Sequence, residues 1–177
     1  MQKSLPKLSI VNVVATSELR QFVDLEKLAE VSGFFYNKAI YHCAYLKERG
    51  TLAKISIFAT GKMISIGTKS IKAATLDLTY AAHRLVDLGL ISPTKISVKL
   101  RNVVATADLG HSIDLENLAR CLPHLLYEPE QFPAAIYHAE ELEGASLLIF
   151  ATGKVVLAGL RSEKSLENGK HVLAQLA

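Results

Sequence analysis

The sequence predicts an α+β protein of two pseudo-symmetric repeats, its strands forming an antiparallel sheet of about ten with helices on one face. Three observations predict this. The 177-residue chain is written twice: IVNVVAT at Ile10 to Thr16 is answered by RNVVAT at Arg101 to Thr106, and IFATGK recurs at Ile57 to Lys62 and Ile149 to Lys154. Two copies of one unit in so short a chain imply a pseudo-twofold molecule. Each copy holds several short β-branched runs of strand character. Each ends in one longer segment whose apolar residues recur three or four apart, the period of an amphipathic helix.

The elements follow in order. Leu8 to Ala15 reads as the first strand, and Asp24 to Glu30 as a short helix with acidic residues near its start. Ala39 to Leu46, Lys54 to Thr60 and Met63 to Gly67 are three further strands, the last two joined by a tight GK turn. From Ser70 to Leu88 the period changes, with Ile71, Ala74, Leu78, Ala81, Leu85 and Leu88 on one helical face and Ser70 and Gly89 where caps belong. SPTK at Ser92 to Lys95 is the linker, so the repeats are residues 1–92 and 93–177. The second copy keeps the order to a helix near Ser162 to Leu176.

The copies align with a moving offset. Asn12 falls on Asn102 and DLEKLA (Asp24 to Ala29) on DLENLA (Asp114 to Ala119), both 90 residues on. AIYH at Ala39 to His42 returns at Ala135 to His138, an offset of 96, while Phe58 returns as Phe150 and Gly67 as Gly159, an offset of 92. On this alignment the first copy lacks about six residues before AIYH and gains about four after it.

Composition narrows the class. Half of the residues are hydrophobic, ample for an ordered core. No apolar run approaches the roughly 18 residues of a membrane span, and MQKSLPKLS lacks the apolar middle of a signal peptide, so an intracellular location and no membrane partner are expected. Cys43 and Cys121, distant and in non-equivalent places, read as structural thiols rather than a disulfide or metal pair. Residues 1–92 carry 12 Lys/Arg against 7 Asp/Glu and residues 93–177 carry 8 against 10, which suits a polyanion on one half and a basic partner on the other.

Catalysis is disfavoured. The GK turns lack the upstream Gly and the following Ser/Thr of a phosphate-binding loop, because Lys62 precedes Met63 and Lys154 precedes Val155. No nucleophile elbow, repeated Cys/His pair or metal cluster is written in the chain, so neither a cofactor nor a metal is expected. The strands themselves point elsewhere. Ile10, Asn12 and Val14 share one face of the first strand and Val11 and Val13 the other, so neither face is polar. Helices cover only one face, and the apolar surface left on the other calls for a ligand, a second layer or a dimer.

The joint order of VNVVAT and RNVVAT, the two IFATGK turns followed by GTKS and AGLRS, and YEPEQFPAAIYH at Tyr127 to His138 resembles the TATA-box-binding protein family over nearly the whole chain. The short segment before the first strand looks archaeal rather than eukaryotic. The resemblance implies a saddle whose concave sheet binds the minor groove of A/T-rich promoter DNA and bends it, recruiting transcription factor B and through it RNA polymerase. It implies a nucleoid-associated cytoplasmic protein in an archaeon, or a nuclear one in a eukaryote, and allows a homodimer when free of DNA.

Site residues follow from the same resemblance. Asn12 and Asn102 would offer amide donors to the N3 and O2 acceptors of the groove floor, the alternative for a strand Asn being a local hydrogen bond at a bulge. Val14 and Val104 on the same face would disfavour the protruding amino group of a G·C pair. Phe58, Phe132 and Phe150 match wedging aromatics at the two ends of the box; read without the family, each is an ordinary core residue. Tyr36 takes the place of Phe132 in the first copy, with Phe34 and Phe35 as substitutes. Ile64, Leu148 and Val156 extend the face, while Lys62, Lys154, Lys69 and Arg161 would reach phosphates.

Ser56 stands where the family has an apolar residue, Ile66 and Ala158 where it commonly has Thr, and His42 and His138 where it often has Arg. Histidine there would make binding weaken as pH rises through about 6.5. Tyr127, Glu128, Glu130 and Gln131 match the acidic stirrup that engages transcription factor B. The departures leave a second reading open: a divergent paralogue that uses its saddle mainly for protein contacts, or holds DNA weakly without bending it.

Overall fold

The computed structural model describes residues 7–176. They hold ten strands, with antiparallel pairing in every register below, and four α-helices, as the α+β reading requires. The described residues divide into two compact units, 12–101 and 7–11 with 102–176, called here the first and second halves after the repeat that makes up most of each.

The first half is built on β1 (Ser9–Glu18), α1 (Leu25–Ala29), β2 (Phe34–Phe35), β3 (Cys43–Leu46), β4 (Lys54–Phe58), β5 (Lys62–Thr68) and α2 (Ile71–Asp87), its strands in the order β2-β3-β4-β5-β1. Asp24 starts α1 by accepting the N–H groups of Glu26 and Lys27 at 3.1 and 3.3 Å. Ser70 starts α2 by accepting the Ala73 N–H at 3.0 Å. Gly89 ends α2 with φ +69°, while the Leu90 N–H turns back to the Leu85 carbonyl at 3.0 Å. Both α2 caps therefore stand where the sequence places them.

The second half repeats the plan with β6 (Lys99–Asp108), α3 (Leu115–Cys121), β7 (Leu125–Leu126), β8 (Ala134–Tyr137), β9 (Ser146–Phe150), β10 (Lys154–Leu160) and α4 (Glu163–Leu176), in the order β6-β10-β9-β8-β7. Ser162 and Ser165 cap the start of α4 reciprocally, each hydroxyl accepting the other's backbone N–H at 2.9 and 3.1 Å.

Register sorts the side chains into two faces. In the first half Ala15, Ser65, Ile55, Leu46 and Phe34 form a row across the sheet, and all are buried beneath the helices. Leu78, Ala81 and Leu85 of α2 are fully buried against that layer. Ala105, Leu157, Leu147, Tyr137 and Leu125 form the matching row of the second half. There Gly169 lets α4 approach so closely that a Cβ would collide with Leu157.

The twice-written IFATGK has a steric cause. Gly61 and Gly153 adopt φ +83° and +84°, and a Cβ on either would run into the carbonyl oxygen of Gln21 or His111. Those segments follow β1 and β6 and are tied to the same turns, Leu19 N–H to Gly61 O and Leu109 N–H to Gly153 O, both at 2.9 Å.

Between α1 and β3 the structure corrects the alignment of the copies. Phe34 pairs with Leu46 as Leu125 pairs with Tyr137, a constant offset of 91 residues. Tyr41 N–H bonds Asn37 O at 2.8 Å as Phe132 N–H bonds Glu128 O at 3.0 Å, and Lys47 N–H bonds Gly33 O as His138 N–H bonds His124 O. The two hairpin tips are therefore equally long, and in place of a six-residue deletion the offset grows by single residues, from 90 at Asp24/Asp114 to 91 here and 92 at Phe58/Phe150. YNKAIY (Tyr36 to Tyr41) answers YEPEQF (Tyr127 to Phe132), and the two AIYH strings are unrelated in structure. The first lies in a turn, so β3 begins at Cys43 rather than Ala39, while the second contributes to β8. It follows that Tyr41, not Tyr36, is the counterpart of Phe132, and that Lys47, not His42, is the counterpart of His138.

Candidate nucleic-acid interface

Among the described residues, each half leaves the sheet face opposite its helices uncovered. In the first half this face carries the row Thr16, Ile64, Ser56, Tyr45 and Phe35, beside Val14, Ile66 and Lys54. In the second half the row is Thr106, Val156, Leu148, Ile136 and Leu126, beside Ala158 and Ser146. Exposure confirms which face is open: Phe35 is 62% exposed, Ile66 47% and Leu126 52%. These are large apolar side chains on paired strands, the arrangement of a surface made to be covered.

The two asparagines stand on this face by strand alternation with Val14 and Val104, and all four are half-buried. The structure gives Asn102 a definite orientation. A bulge in β10 between Leu157 and Leu160 frees the Gly159 N–H, Gly159 adopting φ +92°, and Asn102 Oδ1 accepts that N–H at 3.0 Å. Because the partner is a donor, the bonded atom of Asn102 must be its oxygen, and the NH₂ is left to donate elsewhere. The local bond foreseen as an alternative to groove reading thus coexists with a free donor. In the first half the bulge falls at Val13/Val14, opposite Gly67 with φ +111°.

The aromatics cluster at the far ends of the faces. Phe58 sits opposite Cys43 and Phe150 opposite Ala134, both half-buried at the ends of β4 and β9. Phe132 meets Phe150 edge to face, ring centroids 6.4 Å apart. In the first half the edge-to-face pair is Tyr41 with Tyr45, at 5.1 Å, and the Lys54 ammonium lies 3.5 Å from the Tyr45 ring centroid. Tyr41, Tyr45 and Lys54 belong to the open face and were missed from the sequence; the signal that finds them is register, which no string comparison supplies. Tyr36 is half-buried at the place matching Tyr127.

Charge rims both faces. Lys62 stands across from Glu18 and Lys154 across from Asp108, and Lys69 and Arg161 are exposed just beyond β5 and β10. His138 Nδ1 lies 3.2 Å from Ser146 Oγ. In the second hairpin tip Glu128, Glu130 and Gln131 are exposed and Tyr127 half-buried; the matching first tip places Lys38 in an exposed ion pair with Glu26 at 2.7 Å. Among the described residues no group of three or more His, Cys, Asp or Glu is placed to hold a metal, and no helix is long and apolar enough to cross a membrane. Both cysteines are free, Cys43 buried and Cys121 exposed.

The chain is similar to known proteins along almost its whole length. The family model described as transcription factor TFIID (or TATA-binding protein, TBP) matches it twice, over residues 7–88 and 97–176. The TATA-box-binding protein of Cenarchaeum symbiosum is 37% identical over 159 residues, 89% of this chain and 86% of that one. That of Pyrobaculum neutrophilum is 37% identical over 166 residues, 91% and 82% of the two chains. The solved structure of Methanococcus jannaschii TBP superposes with a TM-score of 0.82 at 31% identity, covering 97% of this chain and all of that one. With ten strands, four helices and two copies of one plan behind it, this chain belongs to the TATA-binding protein family.

Proposed function

We propose that the protein is a general transcription initiation factor that binds the minor groove of A/T-rich promoter DNA, bends it, and recruits transcription factor B and then RNA polymerase. It catalyses no reaction in this reading. The observation that carries it is the pair of uncovered apolar faces, each with one asparagine near a strand bulge and an aromatic at the opposite end. Asn12 and Asn102 donate to the acceptors that A·T and G·C pairs share, while Val14, Val104, Ile64, Val156 and Leu148 meet the groove floor and penalise the guanine amino group. Lys62, Lys154, Lys69 and Arg161 take phosphates.

Phe58 and Tyr41 wedge at the first-half end and Phe150 and Phe132 at the other. Unstacking a base step costs free energy that the larger contact surface of bent DNA offsets, as TATA-binding proteins themselves illustrate. Glu128 and Glu130, flanked by Tyr127 and Gln131, present carboxylates for transcription factor B; the exposure of Glu128, Glu130 and Gln131 and the acidic balance of residues 93–177 support that role. Repeats 1–92 and 93–177 each read half of the box.

The rival is a paralogue that does not bend DNA, favoured by Ser56, Lys54 and Tyr45 on a face whose counterpart holds Leu148, Ser146 and Ile136. End-to-end fluorescence transfer on A/T-rich and G/C-rich duplexes, with and without transcription factor B, separates the two. The initiation factor shortens the A/T-rich duplex and the paralogue shortens neither.

A further inference from the structure

The two open faces differ most at one row. Where the second half places Leu148 between Val156 and Ile136, the first places Ser56 between Ile64 and Tyr45. Serine is smaller than leucine and carries a hydroxyl, so this row offers both room and a hydrogen-bond acceptor. Tyr45 adds a second hydroxyl, and its ring is held in place by Tyr41 edge-on at 5.1 Å and by the Lys54 ammonium at 3.5 Å. No comparable polar group stands at Leu148 or Ile136.

Only a G·C pair puts a donor, the guanine 2-amino group, on the floor of the minor groove. Against Leu148 that amino group loses its water and gains no partner, which is the costly outcome for a buried polar group. Against Ser56 it has space and an acceptor. We propose that Ser56, backed by Tyr45, lets the first half accept a G·C pair at the position it covers while the second half rejects one there. A promoter box with a G·C pair in one half then fixes which way round the protein lies on it. This rests on the minor-groove reading above.

The test is a G·C pair walked through every position of a symmetric A/T-only duplex, with affinity measured at constant salt. Orientation is read by an iron chelate attached to Cys121, which is exposed at the end of α3 while Cys43 is buried. Because the duplex is symmetric and the protein can lie either way round, a G·C pair at the row covered by Ser56 costs under roughly two-fold from either end of the box, against at least about five-fold at the other positions. Cleavage, present on both sides of the A/T-only box, collapses onto the A/T-only side. Ser56→Leu installs what the second half has in that row, and makes the two halves equally intolerant. Leu148→Ser creates a second tolerant position. Cleavage that stays on both sides of the box once a G·C pair stands at that position, or an orientation preference that survives Ser56→Leu, overturns the proposal. A protein indifferent to A·T and G·C in every duplex overturns the minor-groove reading beneath it.

Discussion

At the scale of the residue, Asn102 has two tasks that substitution can separate. Asn102→Ala removes the acceptor from the Gly159 N–H, so it lowers unfolding free energy by about 1–2 kcal/mol in a urea melt, and it removes the amide donor, so it weakens binding to A/T-rich DNA. Asn102→Asp keeps the acceptor but has no donor; stability returns and DNA affinity does not. If Asn102→Asp reads DNA as well as the wild type, the amide is not a reader. The wedge assignment is equally open to trial. Tyr41→Ala relaxes the bend measured by fluorescence transfer at the first-half end, whereas Tyr36→Ala acts only as the truncation of a half-buried side chain. Position within the repeat was legible for Asn12, Asn102, Phe58 and Phe150, because each lies in a string written in both copies. It was not legible for Tyr41, because four identical letters at Ala39 and Ala135 drew the alignment away from the true register.

At the scale of the element, the loop between β3 and β4 is fastened to α2 by charge. Glu48 Oε1 accepts the Tyr80 hydroxyl at 2.6 Å and the Arg84 Nε–H at 2.9 Å. Burial opposes ionisation of Glu48, but those hydrogen bonds and the Arg84 charge outweigh it and hold its carboxyl below the usual 4.5. A depressed folded-state value means stability that is complete above the unfolded value and is lost as pH falls through the folded one. Glu48→Gln therefore destabilises by about 1–2 kcal/mol at pH 7 and flattens the acid limb of the stability profile below about pH 4.5. Asp77 secures the same loop from the helix side, accepting the Leu52 and Ala53 N–H groups at 2.9 Å each. Helices and long strands were readable because period and caps are local properties. The two-residue strands β2 and β7 were not, since they exist only through pairing with β3 and β8.

At the scale of the whole molecule, charge is divided unevenly, +5 over residues 1–92 and −2 over residues 93–177, and Lys54 adds to the open face a cation that Ser146 does not match. Lys54→Ser reduces the slope of log affinity against log salt by about one unit if the ammonium leaves Tyr45 for a phosphate, and leaves it unchanged if it stays on the ring. The equal length of the hairpin tips has a constructive consequence. Residues 36–41 and 127–132 are bounded by the same hydrogen bonds, so one hexapeptide can be exchanged for the other without inserting or removing a residue. A chain carrying YEPEQF in both tips would offer two acidic handles on one scaffold. Counting the transcription factor B molecules it holds would show whether polarity in initiation is written in six residues or in everything that surrounds them.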